Sequence, residues 1–562
     1  MKARFRRIQN LVYYPFLMII LLCVSCSKKA VDVKNNAIPT IDDTTDQYII
    51  KKSLAHKNPR MHYKVLTSRY SNRDSMWANV RLQLEGFSEK DYDTLFDKIY
   101  NQNIPQIQQH VSNGSLSYEL LTKWYLYRIL KYEGKRESTL HSILSIIPNA
   151  LSEAKKRDLN KGVQKHPIYG MPILLKDNIN AEGTPTTAGA IALANNLTTD
   201  ATIVKNLKQN GAIILGKVNL SEWAYYFCDG CPLGYSAVGG QTLNPYGRMV
   251  FETGGSSAAS GTSMAANYAA GAVGTETAGS ILSPSSQNSI VGLKPTIGVL
   301  SRSGIVPISS TLDTPGPMTR SVVDNAIVLS AMYGEDSNDK TTIGLDRIDN
   351  FYEVANSLSD NPIMLAANTT YLETDVLYKE TVEKLRAKGA IIKEFSPADI
   401  DINGFVSILD YDMQRDLPIY LTKNANPNIP VKSVSDVISY NNQDSTLRAP
   451  YGQGRFIASR DDKTTDADMN EIKSRLQKNT RQFFDSILEG MKVDAILSIN
   501  NYDAAYTAVA KYPCLAMPMG YMPSGEPKAI TLIGRRYDEA GLLRVGAFIE
   551  TNVFQRVPPK GY

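Results

Sequence analysis

Three side chains in this sequence are of the types that pass a proton away from an attacking serine: Lys176, Ser256 and Ser280. They stand in the segments GMPILLKDNI (170–179), ETGGSSAASG (252–261) and GTETAGSI (274–281). A serine hydroxyl becomes a nucleophile when a base takes its proton. The usual base is histidine. The chain has five, His56, His62, His110, His141 and His166, and all precede the first of these segments. The remaining base is a lysine whose pKa is lowered by burial and by its neighbours. The residue types therefore point to a Ser/Lys hydrolase rather than a Ser-His-Asp one, with no cofactor and no metal.

The segments around the two serines are too rich in Gly, Ser and Thr for ordinary core. Glycine lets the backbone approach a substrate closely. Small residues leave backbone N–H groups exposed, and such groups can hold an oxyanion. A flexible Gly/Ser linker is excluded by the apolar runs beside them, such as Asn267–Val273 and Ile290–Leu293. Lys217 and Lys294 lie close by in sequence and are read as structural.

These residues need a scaffold, and the apolar spacing supplies one. Asp93–Tyr100, Pro105–Val111, Tyr118–Tyr132 and Leu140–Lys156 have helical spacing. From Tyr169 onward helices and strands alternate. Ile173–Leu175 reads as a buried strand. Asp200–Asn210 reads as a helix and Ala212–Leu215 as a strand. The same order recurs in Glu380–Lys388 with Ala390–Glu394, and in Ile472–Met491 with Ala495–Ser498. Ile530–Ile533 then precedes a helix over Glu539–Glu550. The expected fold is α/β: a mixed β-sheet core covered by helices on both faces, with an N-terminal helical extension. A polar, Asn-rich insertion near 400–465 is expected to form loops and helices beside the site. Within it, Asp410, Tyr411 and Gln414 are candidates to face the substrate.

The chain of 562 residues is 43% hydrophobic and 21% charged, with a net charge of +5. Its basic residues are scattered among acidic ones, which excludes a nucleic-acid stripe. Arg4, Arg6 and Arg7 precede an apolar run, Leu11–Val24, and then Ser25-Cys26-Ser27-Lys28-Lys29. This is the pattern of a secretory signal. It resembles a lipoprotein signal with Cys26 as the lipidated residue, although Cys23 stands where Leu is usual. An uncleaved signal anchor is the alternative. Both readings place the body of the protein outside the cytoplasm, in the periplasm or at the outer membrane, held to a membrane through Cys26. The divisions expected are a signal peptide (1–25), a flexible tether (26–60), a helical extension (61–134) and a catalytic domain (135–562). Cys228 and Cys231 form a C-x-x-C pair without the second pair that a zinc site needs. A small local disulfide or two free thiols is expected there.

The block from Gly254 to Arg320 resembles the amidase signature family. The matching stretches are Gly254–Ser257, Gly274–Ser280, Gly292-Leu293-Lys294-Pro295-Thr296 and, upstream, Gly170-Met171-Pro172 with Lys176-Asp177-Asn178. Gly216–Trp223, Gly240–Pro245, Pro513, Met517–Gly520 and Ile533-Gly534-Arg535 fit as well, so the resemblance covers roughly 135–560. It implies Ser280 as nucleophile, Lys176 as base and Ser256 as the bridging serine after a cis peptide bond. It also implies an oxyanion hole on the backbone of Thr277, Ala278 and Gly279. Glu276 and Leu282 stand where many members have Asp and Arg. That form is similar to the subgroup of bacterial peptide amidases. The function implied is hydrolysis of a carboxamide C–N bond in peptide amides or small acyl amides, through an acyl-enzyme. The alternatives are an amidotransferase-type subunit that releases ammonia from glutamine, and a binding lipoprotein without catalysis. The second would have lost one of the three residues, and none is lost.

Overall fold

The computed structural model describes residues 43–160, 165–344, 351–356 and 362–562. The expected signal peptide, Cys26 and the first part of the expected tether lie outside the described residues. Residues 43–562 form one compact unit.

Its centre is an eleven-stranded mixed sheet. In chain order the strands are β1 (Ile143–Ile146), β2 (Pro172–Lys176), β3 (Ile213–Val218), a two-stranded hairpin β4 (Tyr235–Ser236) and β5 (Gly240–Gln241) outside the sheet, β6 (Gly271–Glu276), β7 (Val291–Lys294), β8 (Thr314–Thr319), β9 (Met364–Asn368), β10 (Ile391–Phe395), β11 (Ala495–Ile499), β12 (Cys514–Tyr521) and β13 (Pro527–Ile533). The spatial order is β1-β3-β2-β6-β8-β7-β12-β13-β11-β9-β10. β2 runs parallel to both β3 and β6, while β6, β8, β7, β12 and β13 alternate antiparallel. All five residues of β2 and all six of β3 and β6 are buried. Strands covered on both faces read as continuous apolar runs, and Pro-Ile-Leu-Leu is such a run.

The expected α/β fold is the one observed, with helices flanking the sheet. Their starts follow capping rules. Ser88 and Asp91 form a capping box before Glu89–Ile99, and Asn103 and Gln106 form another before Ile104–Ser112. Ser117 caps Tyr118–Glu133, whose Leu121, Trp124, Tyr125, Arg128 and Ile129 are buried at helical spacing.

Two expectations are corrected. Leu140–Lys156 is not one helix: β1 occupies Ile143–Ile146, and the helix is Ala150–Leu159. Pairing to the edge of β3 overrides the apolar spacing. The tether does not extend to residue 60. Asp43–Ser53 is helical, Asp46 is paired with Arg136 at 2.6 Å, and Ile49 and Ile50 pack on the core. The helices of 61–134 pack against the rest of the unit. The buried Arg128 donates from Nε to Ala266 O at 2.8 Å, and Ile104 N–H donates to Asp324 Oδ1 at 2.7 Å. Tyr100 Oη donates to Tyr562 O at 2.9 Å.

Candidate active site

The three residues of the sequence reading meet at the carboxyl ends of β2 and β6, the position where open α/β sheets place their ligands. Lys176 is the last residue of β2 and is fully buried. Its Nζ lies 2.7 Å from Ser256 Oγ, 2.8 Å from Thr275 Oγ1 and 3.1 Å from Thr275 O. Parallel pairing of β2 with β6 brings Thr275 beside it. Thr275 Oγ1 is fixed in turn by Asn178 Nδ2 at 3.0 Å. Burial pulls the Lys176 ammonium down to about 7, against the opposing influence of Asp313 and Glu276.

Ser256 follows a cis peptide bond from Gly255 and precedes the helix Ala258–Ala265. That helix is wholly buried and, Met264 apart, built from small residues. A Cβ at Gly261 would come within 2.9 Å of Pro284 O, so the glycine allows the close approach to the neighbouring helix Leu282–Gln287. Ser256 O accepts from Ser221 N–H at 3.0 Å, and Ser257 N–H donates to Ser280 O at 3.1 Å. The two serine-bearing segments are thus bonded to each other.

Ser280 ends the turn after β6, and the Glu276 carboxylate shapes that turn. Its Oε1 accepts from Gly279 N–H at 2.7 Å, and its Oε2 accepts from Ile281 N–H at 2.7 Å and Leu282 N–H at 2.9 Å. Gly279 has φ +87°, a conformation L side chains rarely adopt. Its N–H is therefore turned onto Glu276, which corrects its assignment to the oxyanion hole. The N–H groups of Thr277 and Ala278 have no acceptor among the described residues.

The other lysines near the motifs are accounted for. Lys217 Nζ pairs with Asp177 Oδ1 at 2.9 Å, both buried, and Lys294 Nζ donates to Tyr512 O. Successive side chains on a strand point to opposite faces, so Asp177 turns from the site although it follows Lys176. Cys228 and Cys231 form a disulfide. Among the described residues no group of His, Cys, Asp and Glu could hold a metal.

A cleft of about 490 Å³ opens beside Thr275 and Thr277. One wall is the segment 302–315 and another is the helix Phe405–Lys423. The helix was anticipated, but a different face of it turns inward. Asp416, Ile419, Tyr420 and Lys423 line the cleft. Asp410, Tyr411 and Gln414 do not. Asp410 is bonded to Tyr226 and Ser459, Tyr411 to Asp466, and Gln414 to the carbonyls of Arg460 and Asp462. The sequence reading also missed Asp313. It borders the cleft, accepts from Thr277 Oγ1 at 2.5 Å and from the N–H groups of Ile308 and Ser309, and its burial raises its carboxyl pKa. Its place inside the motif block was the only sign of it.

The chain is similar to known proteins over most of its length. The amidase family model matches residues 121–543. A probable amidase of Arabidopsis thaliana is 32% identical over 480 residues, covering 82% of this chain and 92% of that protein. The crystal structure of an amidase family protein from Bacillus anthracis superimposes with TM-score 0.83 at 35% identity, covering 88% of this chain and 99% of that one. The native peptide amidase of Stenotrophomonas maltophilia gives TM-score 0.76 at 32% identity, covering 82% and 98%. The chain belongs to the amidase family and is an amide-hydrolysing enzyme.

Proposed function

We propose that this enzyme cleaves peptide amides or small acyl amides through an acyl-enzyme on Ser280, with Ser256 and Lys176 as proton relay. The observation that carries the proposal is Lys176 itself: a fully buried lysine 2.7 Å from Ser256, with its pKa drawn to about 7. A neutral amine has two N–H groups and one lone pair. The hydroxyl and carbonyl oxygens of Thr275 take the two N–H groups, which leaves the lone pair for the Ser256 hydroxyl.

In this reading Ser256 passes its proton to Lys176 and takes one from Ser280, whose Oγ attacks the carbonyl carbon. Thr277 and Ala278 supply the N–H groups for the oxyanion. The relay reverses: Ser256 protonates the leaving nitrogen and recovers a proton from Lys176. The C–N bond breaks and the amine departs. Water then attacks the acyl-Ser280 ester by the same relay and frees the acid. The likeness to a peptide amidase supports amides of peptides as the substrate class.

The proposal includes export and lipid anchoring at Cys26. Its support is the basic start, the apolar run and Ser25-Cys26 of the sequence, together with a disulfide of the kind kept in oxidising compartments. Two experiments test the whole. A fluorophosphonate should label Ser280, with the adduct lost in Ser280→Ala; an adduct elsewhere refutes the nucleophile. Cys26→Ser should move the protein from the membrane to the soluble fraction, and an unchanged distribution refutes the anchor.

A further inference from the structure

The cleft contains a carboxylate, Asp416, that forms no ion pair of its own among the described residues; the nearby Arg302 feels its charge but is bonded to other groups. Asp416 stands on the wall formed by Phe405–Lys423, and its protein donors are the N–H of Ser310, at 2.5 Å, and the Ser310 hydroxyl. Among the described residues no cationic side chain lies in ion-pair range of it. The cations around it are engaged elsewhere. Arg302 makes a two-pronged pair with Asp339, at 2.8 and 2.6 Å, and also donates to Ser310 O. Lys473 is paired with Asp412 at 2.7 Å. Lys423 lines the cleft two turns along the helix but is exposed to water. Of the other two carboxylates beside the cleft, Asp339 is taken by Arg302 and Asp313 is filled by Thr277, Ile308 and Ser309. Burial, with Asp412 and Asp313 adding to it, raises the Asp416 carboxyl to about 6. It is still charged at neutral pH, and a cation brought against it relieves that unfavourable setting.

We infer that Asp416 is a specificity-determining residue that selects amides whose acyl portion carries an ammonium or guanidinium group. The inference rests on the proposed function and names the substrate class of the same site. The reacting amide sits at the Thr275–Thr277 end of the cleft and the cation at the Asp416 end. Ile305, Val306 and Ile419, which also line the cleft, offer apolar surface to the alkyl stem of a basic side chain. An acidic side chain would instead meet Asp416 and Asp313.

The test compares kcat/KM for Nα-acetyl-lysinamide and Nα-acetyl-norleucinamide, which differ in charge at nearly equal length, in the wild type, Asp416→Asn and Asp416→Ser. The ratio within one enzyme cancels any loss of folded protein. The wild type should favour the lysine amide about 10- to 100-fold, the range for a hydrogen bond to a charged group. The ratio should fall to near one in both variants. In the wild type it should also shrink with added salt, as a part-exposed ion pair does. A wild type that hydrolyses both amides equally overturns the inference and leaves the amidase reading standing. A preference that survives in both variants also overturns it. A wild type that hydrolyses neither these nor any other amide overturns both.

Discussion

Replacing Glu276 by Gln keeps the size of the side chain and removes its charge. The carboxylate accepts three backbone N–H groups, one on Oε1 and two on Oε2. An amide has one oxygen, so either Gly279 or the pair Ile281 and Leu282 then faces an NH2 group. One bond to a charged acceptor is lost, about 1.5–3 kcal/mol. The bonds that remain become neutral ones and weaken by roughly half. The sum is about 3–6 kcal/mol, concentrated on the turn that aims Ser280. If most of it is expressed in the geometry of attack, kcat/KM falls about 10²- to 10⁴-fold. A second effect has a definite sign. Glu276 is one of two carboxylates that hold the Lys176 pKa up. Without its charge Lys176 loses its proton at lower pH, so the acid limb of kcat/KM moves to lower pH. The assay is kcat/KM on a peptide amide across pH, with thermal melting as the check on folding. Wild-type activity with an unmoved acid limb would refute the role given to Glu276.

Wild-type kcat/KM should rise through about pH 7, where Lys176 becomes neutral, and level off above it. His166→Ala should leave that limb in place, because burial lowers the His166 pKa to about 4 and its ring packs against Tyr352 rather than at the site; a limb that vanishes in this variant sinks the lysine base. Lys176→Ala should cost about 10²–10⁴-fold in rate while the protein stays folded, measured as kcat beside the melting temperature. Lys217→Ala should act on stability instead, since it leaves Asp177 buried without its partner. The expected loss is about 3–5 kcal/mol, read as a lower denaturation midpoint. A Lys217 variant as stable as the wild type would contradict that assignment.

Ser256 and Ser280 were legible in the sequence because each sits in a glycine-rich segment whose composition is unusual for a core, and Lys176 because Gly170-Met171-Pro172 with Lys176-Asp177-Asn178 forms a recognisable motif. The alternation of helices and strands was legible because β2 and β3 are short apolar runs bounded by helices. The cleft was not. Asp313 gains its role only when the segment 302–315 folds over the ends of β2 and β6, a contact no local pattern announces. The helix Phe405–Lys423 has apolar residues on several sides, so its periodicity does not say which side faces the cleft. Asp410 and Asp416 look alike in sequence, and packing against Tyr226 and Ser459 decides between them. β1 was hidden for a related reason. Leu140, Ile143, Leu144 and Ile147 have helical spacing, and only the free edge of β3 makes Ile143–Ile146 a strand.

The joining of Tyr100 to Tyr562 has a consequence for the order of events during synthesis. The two residues are 462 positions apart, and Tyr562 also reaches back to Ser138 and stacks near Tyr132. At about 5–20 residues per second the ribosome needs roughly 20–90 s between them. Throughout that interval the helices of residues 89–133 are exposed without their last partners. Ile104 waits likewise for Asp324, and Asn101 for Arg556. Contacts of such long sequence separation form slowly. The amino-terminal helices therefore remain open to chaperones until residue 562 has emerged.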